Sequence, residues 1–157
     1  MNYKIYQNLD IDIDKLKKET YRIMEKAKGH DGQIMLQGIE GKDWQYGIGR
    51  ITDYEEKEGA FTHLLWSAPT INKMLKRFKM YRSRLMIRKR SVYSWHQDWS
   101  PRIHIPVVSN HEKNFMVIED EVIRMPADGR AVWVDTRKFH TYVNTEEVER
   151  IHIVGCI

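Results

Sequence analysis

The feature that most constrains the fold is the punctuation of the second half of the chain. From Leu85 onward, apolar residues come in short runs broken by Pro101, Ser109-Asn110, Pro126 with Asp128-Gly129, and Asn144. Runs this short, rich in β-branched residues and bounded by turn formers, make strands, because an amphipathic helix needs a longer span to repeat its stripe. The pattern predicts strands at 84–88, 92–98, 102–108, 115–118, 121–125, 131–134, 139–143 and 149–156. A series of short strands with turns at this spacing suits a jelly roll, that is, a double-stranded β-helix of the cupin-like type.

The first half reads differently. Residues 12–28 have helical periodicity, with Ile13, Leu16, Thr20, Ile23, Met24 and Ala27 on one face, Asp12 or Asp14 as cap and Gly29 as stop. A second helix is expected to begin near Ser67 or Thr70, with Pro69 at its entry and Ile71, Met74, Leu75 and Phe78 facing inward. Short strands are expected at 3–6 and 34–36. Each helix has one apolar face and needs a sheet to cover it. The expectation is therefore mainly β with flanking helices. It forms one domain over 1–157, with a helical and mixed part (1–81) and a β-core (82–157).

Composition narrows the function classes. The single cysteine, Cys156, excludes an internal disulfide and fits a buried strand residue better than a nucleophile. The opening Met1-Asn2-Tyr3-Lys4 lacks the apolar core of a signal peptide, and no run approaches the ~20 apolar residues that span a bilayer. A cytoplasmic location and no membrane partner are expected. The formal net charge of +4 is too small to require nucleic acid as a partner.

The chemistry-bearing segment is Ser94-Trp95-His96-Gln97-Asp98-Trp99. In an extended chain, residues i and i+2 point to one side, so His96 and Asp98 offer an imidazole and a carboxylate together. His140, in Lys138-Phe139-His140-Thr141, is the candidate for a third ligand from a distant strand. Two His and one carboxylate on one side of a metal leave the opposite positions open, the arrangement of non-heme Fe(II) oxygenases. A His-x-Asp alone is common by chance. A second constellation strengthens it. Arg102-Ile103-His104-Ile105-Pro106-Val107 and Arg150-Ile151-His152-Ile153-Val154 both alternate basic residues with Ile. One face of each strand then carries Arg and His together. A buried Arg without an anion costs several kcal/mol. A dicarboxylate cosubstrate would supply the anion, and guanidinium grips a carboxylate through two parallel hydrogen bonds.

These segments, with Ser109-Asn110, Met125, Gly129, Val132-Trp133-Val134-Asp135 and Asn144 at their spacings, resemble the aspartyl/asparaginyl β-hydroxylase family of Fe(II)/2-oxoglutarate-dependent oxygenases, which includes proline hydroxylase-like members. The resemblance covers 82–157. It implies that His96, Asp98 and His140 are the catalytic iron ligands. Arg150 would bind the distal carboxylate of 2-oxoglutarate, and Arg102 and His104 would face that cosubstrate. It implies a dioxygenase that uses O2 to hydroxylate an amino acid, free or peptidyl, releasing succinate and CO2. Members often carry a Gly shortly before the first iron-binding His, where this chain has Lys89-Arg90-Ser91-Val92-Tyr93.

Residues 73–90 hold nine Lys or Arg and no acid. Most would coat a solvated helix face. Arg82, Arg84 and Arg88 share a parity in an extended chain and are candidates for contacting substrate, with Tyr93 or Trp95 as a pocket wall. The same basic run supports a second reading, a nucleic-acid or nucleotide oxygenase docked by this surface. A third is a non-catalytic cupin-like binding protein. His30, His63 and His111 fall in loops or before an apolar run, and His152 shares a face with Arg150 in a supporting position.

Overall fold

In the computed structural model, which describes residues 1–157, the chain forms two antiparallel sheets with two helices against one of them. The major sheet holds β1 (Tyr3–Tyr6), β2 (Gln33–Met35), β5 (Tyr81–Arg88), β7 (Arg102–Val108), β10 (Ala131–Val134) and β12 (Arg150–Cys156), in the order β1-β10-β7-β12-β5-β2. The minor sheet holds β6 (Ser91–Val92), β8 (Asn114–Ile118), β9 (Glu121–Ile123) and β11 (His140–Asn144), in the order β6-β11-β8-β9. A small ribbon pairs β3 (Gln37–Gly38) with β4 (His63–Leu64). This is a jelly roll, as the strand spacing predicts.

Helix α1 (Ile13–Lys26) starts where the Asp12 carboxylate accepts the Lys15 N–H at 3.1 Å, and it buries Leu16, Thr20 and Ile23. Helix α2 (Pro69–Arg77) opens with Pro at its first position, and its cap residue, Ala68, has no side-chain acceptor. The Glu19 carboxylate on α1 takes that role instead, accepting Thr70 N–H at 2.7 Å and Ile71 N–H at 3.3 Å. A carboxylate there satisfies orphan donors and complements the helix dipole, so the two helices are joined end to side.

Alternation along the major sheet decides which side chains meet which layer. Leu85, Ile87, Ile103, Ile105, Val107, Ile151 and Ile153 face the helices and form one core with Leu16, Ile23, Ile71 and Leu75. The intervening residues, among them Arg84, Met86, Arg102, His104 and Arg150, face the space between the sheets. A second, smaller core of Met116, Ile118, Ile123, Met125, Val132, Val134 and Tyr142 fills part of that space. The remainder is a polar cavity. No helix is long and apolar enough to cross a membrane.

The expected strand over 92–98 is a correction. Regular pairing stops at Val92, and the chain returns to β11 through an isolated bridge between His96 and His140. Tyr93 N–H bonds to Tyr142 O, and His96 and His140 exchange both backbone bonds at 3.2 and 3.0 Å. Three steps on one side match two on the other. The extra residue makes a bulge at Ser94-Trp95, the device that re-aims side chains next to many active sites.

Candidate metal centre

His96 and Asp98 follow this bulge, and His140 begins β11. Asp98 N–H bonds to Thr136 O at 2.8 Å, which fixes the second half of the segment against the turn before β11. Ligand atoms of the three side chains all lie within 4.8 Å of one another. His140 Nε2 is 3.6 Å from Asp98 Oδ2, and His96 Nε2 is 4.0 Å from Asp98 Oδ1. Both imidazoles turn Nδ1 to a backbone carbonyl, His96 to Ser94 O at 2.7 Å and His140 to Lys138 O at 2.9 Å. An Nδ1–H donated there leaves the lone pair on Nε2, the atom that points at Asp98.

Electrostatics favour the forms of Asp98 and His140 that can coordinate a cation. Burial raises the Asp98 carboxyl, but the charge of the Arg102 guanidinium and its hydrogen bond outweigh it and hold the carboxyl below the usual carboxylate range. Burial lowers the His140 imidazole, which favours its neutral form. A carboxylate and neutral imidazoles are the species that coordinate a cation. One oxygen and two nitrogen donors, with an open cavity opposite, fit a facial Fe(II) site.

That cavity has a volume of about 200 Å³. Deep in it, Arg150 is only 2% exposed. Its guanidinium lies 4.0 Å from the centroid of the Tyr142 ring, its Nε has no acceptor, and no carboxylate pairs with it. Burial lowers its pKa, yet guanidinium stays charged near neutral pH. The Tyr93 hydroxyl on the same cavity also lacks a partner. The nearby histidines add no charge. Burial, then Arg150, pushes His104 down to about 3, and the same forces hold His152 well below its usual value. A buried cation with no counter-charge needs an anion from outside the chain. The far carboxylate of a dicarboxylate fits those unmet donors.

Arg102 also reaches the cavity, but its guanidinium is taken. Nε donates to Asp98 Oδ2 at 3.2 Å, Nη2 to Glu58 Oε1 at 3.1 Å, and Nη1 to Cys156 Sγ. It orients the Asp98 carboxylate. Burial, against the pull of Arg102, raises the Cys156 thiol to about 11, so it is a thiol in a strand core. Glu58 carries no periodic signal in its charged loop, yet it joins Arg102 to Arg82. Gln33, also missed in the sequence, lines the cavity from the sheet edge.

Of the three candidate arginines, only Arg84 lines the cavity. Pairing passes from Val154↔Arg84 to Cys156↔Tyr81, again three steps against two, so a bulge breaks the shared parity. Arg82, at φ 47°, turns to Glu58 at 3.2 Å and to the carbonyls of Gly47 and Gly49 at 2.8 Å each. Gly155 of β12 fits under this bulge, since a Cβ there would come within 2.5 Å of Met80 Cε. Arg88 sits at the end of β5, where Nη1 donates to Asp31 O at 3.2 Å. Tyr93 lines the cavity. Trp95 is carried outward by the first bulge and lies over a surface hollow with Phe139 and Glu119. The Arg82→Ala protein should lose about 1.5–3 kcal/mol of stability, the scale of hydrogen bonds to a charged group. A lower thermal midpoint with unchanged metal stoichiometry is the expected pair of readings. Lost metal or anion binding at an unchanged midpoint would put Arg82 in the site. The basic residues of α2 lie on the opposite side of the major sheet from the cavity, because α2 packs on the Ile face.

No protein-family model and no curated protein matches this sequence. Solved structures do. A viral collagen prolyl hydroxylase from Paramecium Bursaria Chlorella virus-1, in a 2-oxoglutarate complex, superposes with a TM-score of 0.59 at 10% identity, covering 100% of this chain and 97% of that one. AviO1 from Streptomyces viridochromogenes Tue57 superposes with a TM-score of 0.56 at 13% identity, covering 99% and 90%. At such identities the likeness concerns architecture, and this chain shares the jelly-roll fold of both proteins.

Proposed function

We propose that this chain is an Fe(II)- and 2-oxoglutarate-dependent oxygenase that hydroxylates an amino acid, free or peptidyl, as the resemblance to the aspartyl/asparaginyl β-hydroxylase family implies. One observation carries the reading. A two-His, one-Asp cluster and a buried arginine without a counter-ion line the same cavity. His96, Asp98 and His140 would hold the iron. Arg150, aided by the Tyr93 hydroxyl, would hold the distal carboxylate of 2-oxoglutarate, and His104 lines the cavity beside them. Arg102 keeps Asp98 ionised and aimed. Iron, when bound with 2-oxoglutarate and O2, supplies the oxidising power for C–H hydroxylation with release of succinate and CO2. The chain's own part is orientation and exclusion of water. The fold shared with a prolyl hydroxylase in complex with 2-oxoglutarate supports this reading.

The basic helix faces away from the cavity, which favours an amino-acid substrate over a nucleic acid docked on that surface. The test is succinate release from 2-oxoglutarate with Fe(II), in the presence of amino acids, peptides and nucleotides. Stimulated release by an amino acid or peptide is expected. Stoichiometric Fe(II) with no consumption of 2-oxoglutarate would leave a cupin-like binding protein, and stimulation by nucleotides alone would favour the nucleic-acid reading.

A further inference from the structure

The cavity contains more unmet polar groups than a single cosubstrate can satisfy. Arg150 is one anion receptor. Arg84 is another. Its Nε and Nη1 are sealed from solvent and have no acceptor. Asp98, the one carboxylate that lines the cavity, is already engaged by Arg102, and Arg84 is in no ion pair. Burial, then the charges of Arg102 and Arg82, lowers Arg84 to about 10, which still leaves a cation at neutral pH.

The two arginines are attached to the sheet far apart. Arg84 sits opposite Val154 on β12, four residues from Arg150 on that strand. At about 3.3 Å per residue, their attachment points differ by roughly 13 Å along the sheet. A 2-oxoglutarate whose keto acid end is on the metal has one free carboxylate. Arg150 takes it, and Arg84 is left over.

Beside Arg84 is a group of the opposite kind. Gln33 is paired with Met86, so it shares the inward face two positions from Arg84. Its Oε1 is buried and accepts no hydrogen bond. The pair therefore offers unpaired donors next to an unpaired acceptor. A ligand with a carboxylate next to an N–H or O–H group complements both.

We infer that Arg84 and Gln33 form the receptor for a free carboxylate and an adjacent hydrogen-bond donor on the primary substrate, which selects a free amino acid over an internal, non-acidic residue of a peptide. The inference rests on the oxygenase reading for the identity of the cavity's other occupant. An internal residue has its α-carboxyl in an amide and, unless its side chain is acidic, would leave Arg84 buried and unpaired. The cost of an uncompensated buried charge makes that a strong discrimination.

The test is a calorimetric titration of protein loaded with Mn(II), in place of iron, and 2-oxoglutarate. Each of the free L-amino acids is titrated, followed by the primary amide of any that binds. At least one free amino acid should bind saturably, with its amide at least tenfold weaker. In the Arg84→Gln protein the free acid should weaken at least tenfold, the acid and amide should become equal, and 2-oxoglutarate affinity should hold. Arg84→Lys, which keeps the charge, serves as the folding control. Equal binding of acid and amide to the unaltered protein overturns the inference. So does loss of 2-oxoglutarate affinity in Arg84→Gln, and so does the absence of saturable binding by every amino acid tried. The oxygenase reading fails separately, when the Mn(II) protein does not bind 2-oxoglutarate at all.

Discussion

The His140→Ala protein is expected to retain no stoichiometric Fe(II) or Mn(II). His140 is buried, its Nδ1 is fixed by Lys138 O, and its Nε2 faces the Asp98 carboxylate. Disturbing only the outer partner of a metal ligand lowers affinity roughly 10–100-fold. Removing the ligand itself should exceed that. His96→Ala should behave alike, although His96 is half-exposed and contributes less to packing. The backbone ladder of β11 does not use the imidazole, so the circular dichroism of both variants should match the parent. Metal analysis after desalting reads the result directly. One metal per chain retained in both variants would rule out the proposed ligand set.

The second large effect concerns Arg150. Arg150→Lys keeps the positive charge and loses the planar fork that takes two carboxylate oxygens at once. Charge-assisted hydrogen bonds contribute about 1.5–3 kcal/mol, so 2-oxoglutarate should bind roughly ten- to a hundredfold more weakly. Arg150 pairs with no carboxylate of the protein, so the substitution breaks no internal salt bridge and the loss reports on the ligand. Calorimetry on the Mn(II) form checks it. An unchanged affinity would move the role to Arg84, because Arg102 is engaged by Asp98 and Glu58.

Much of this site was legible because it is written in a period of two. Arg102-x-His104 and Arg150-x-His152 alternate with isoleucines, and the structure puts the isoleucines against the helices and Arg102, His104 and Arg150 on the inner cavity. β7 and β10 have the boundaries the pattern predicts. Parity failed where the chain inserts a residue. The bulge before His96 still brings His96 and Asp98 together, since both are pinned to the 136–140 segment. The bulge near Arg82 removes that side chain from the cavity, and nothing in Tyr81-Arg82-Ser83-Arg84 announces it. Glu58 and Gln33 were invisible for another reason. Glu58 is one of several charged residues around a single 3-10 turn and Gln33 opens a three-residue edge strand, so neither has a period to mark it, and only tertiary pairing gives it a role.

If His96, Asp98 and His140 hold a metal in the cavity that Arg150 lines, metal and cosubstrate should depend on each other. Titrating 2-oxoglutarate into metal-free protein, and then into protein holding Mn(II), tests it most directly. One saturable site per chain is expected with metal present, with binding at least tenfold weaker without it and no metal-dependent gain in His140→Ala. Equal affinity with and without metal, or a metal-dependent gain that survives His140→Ala, would contradict it.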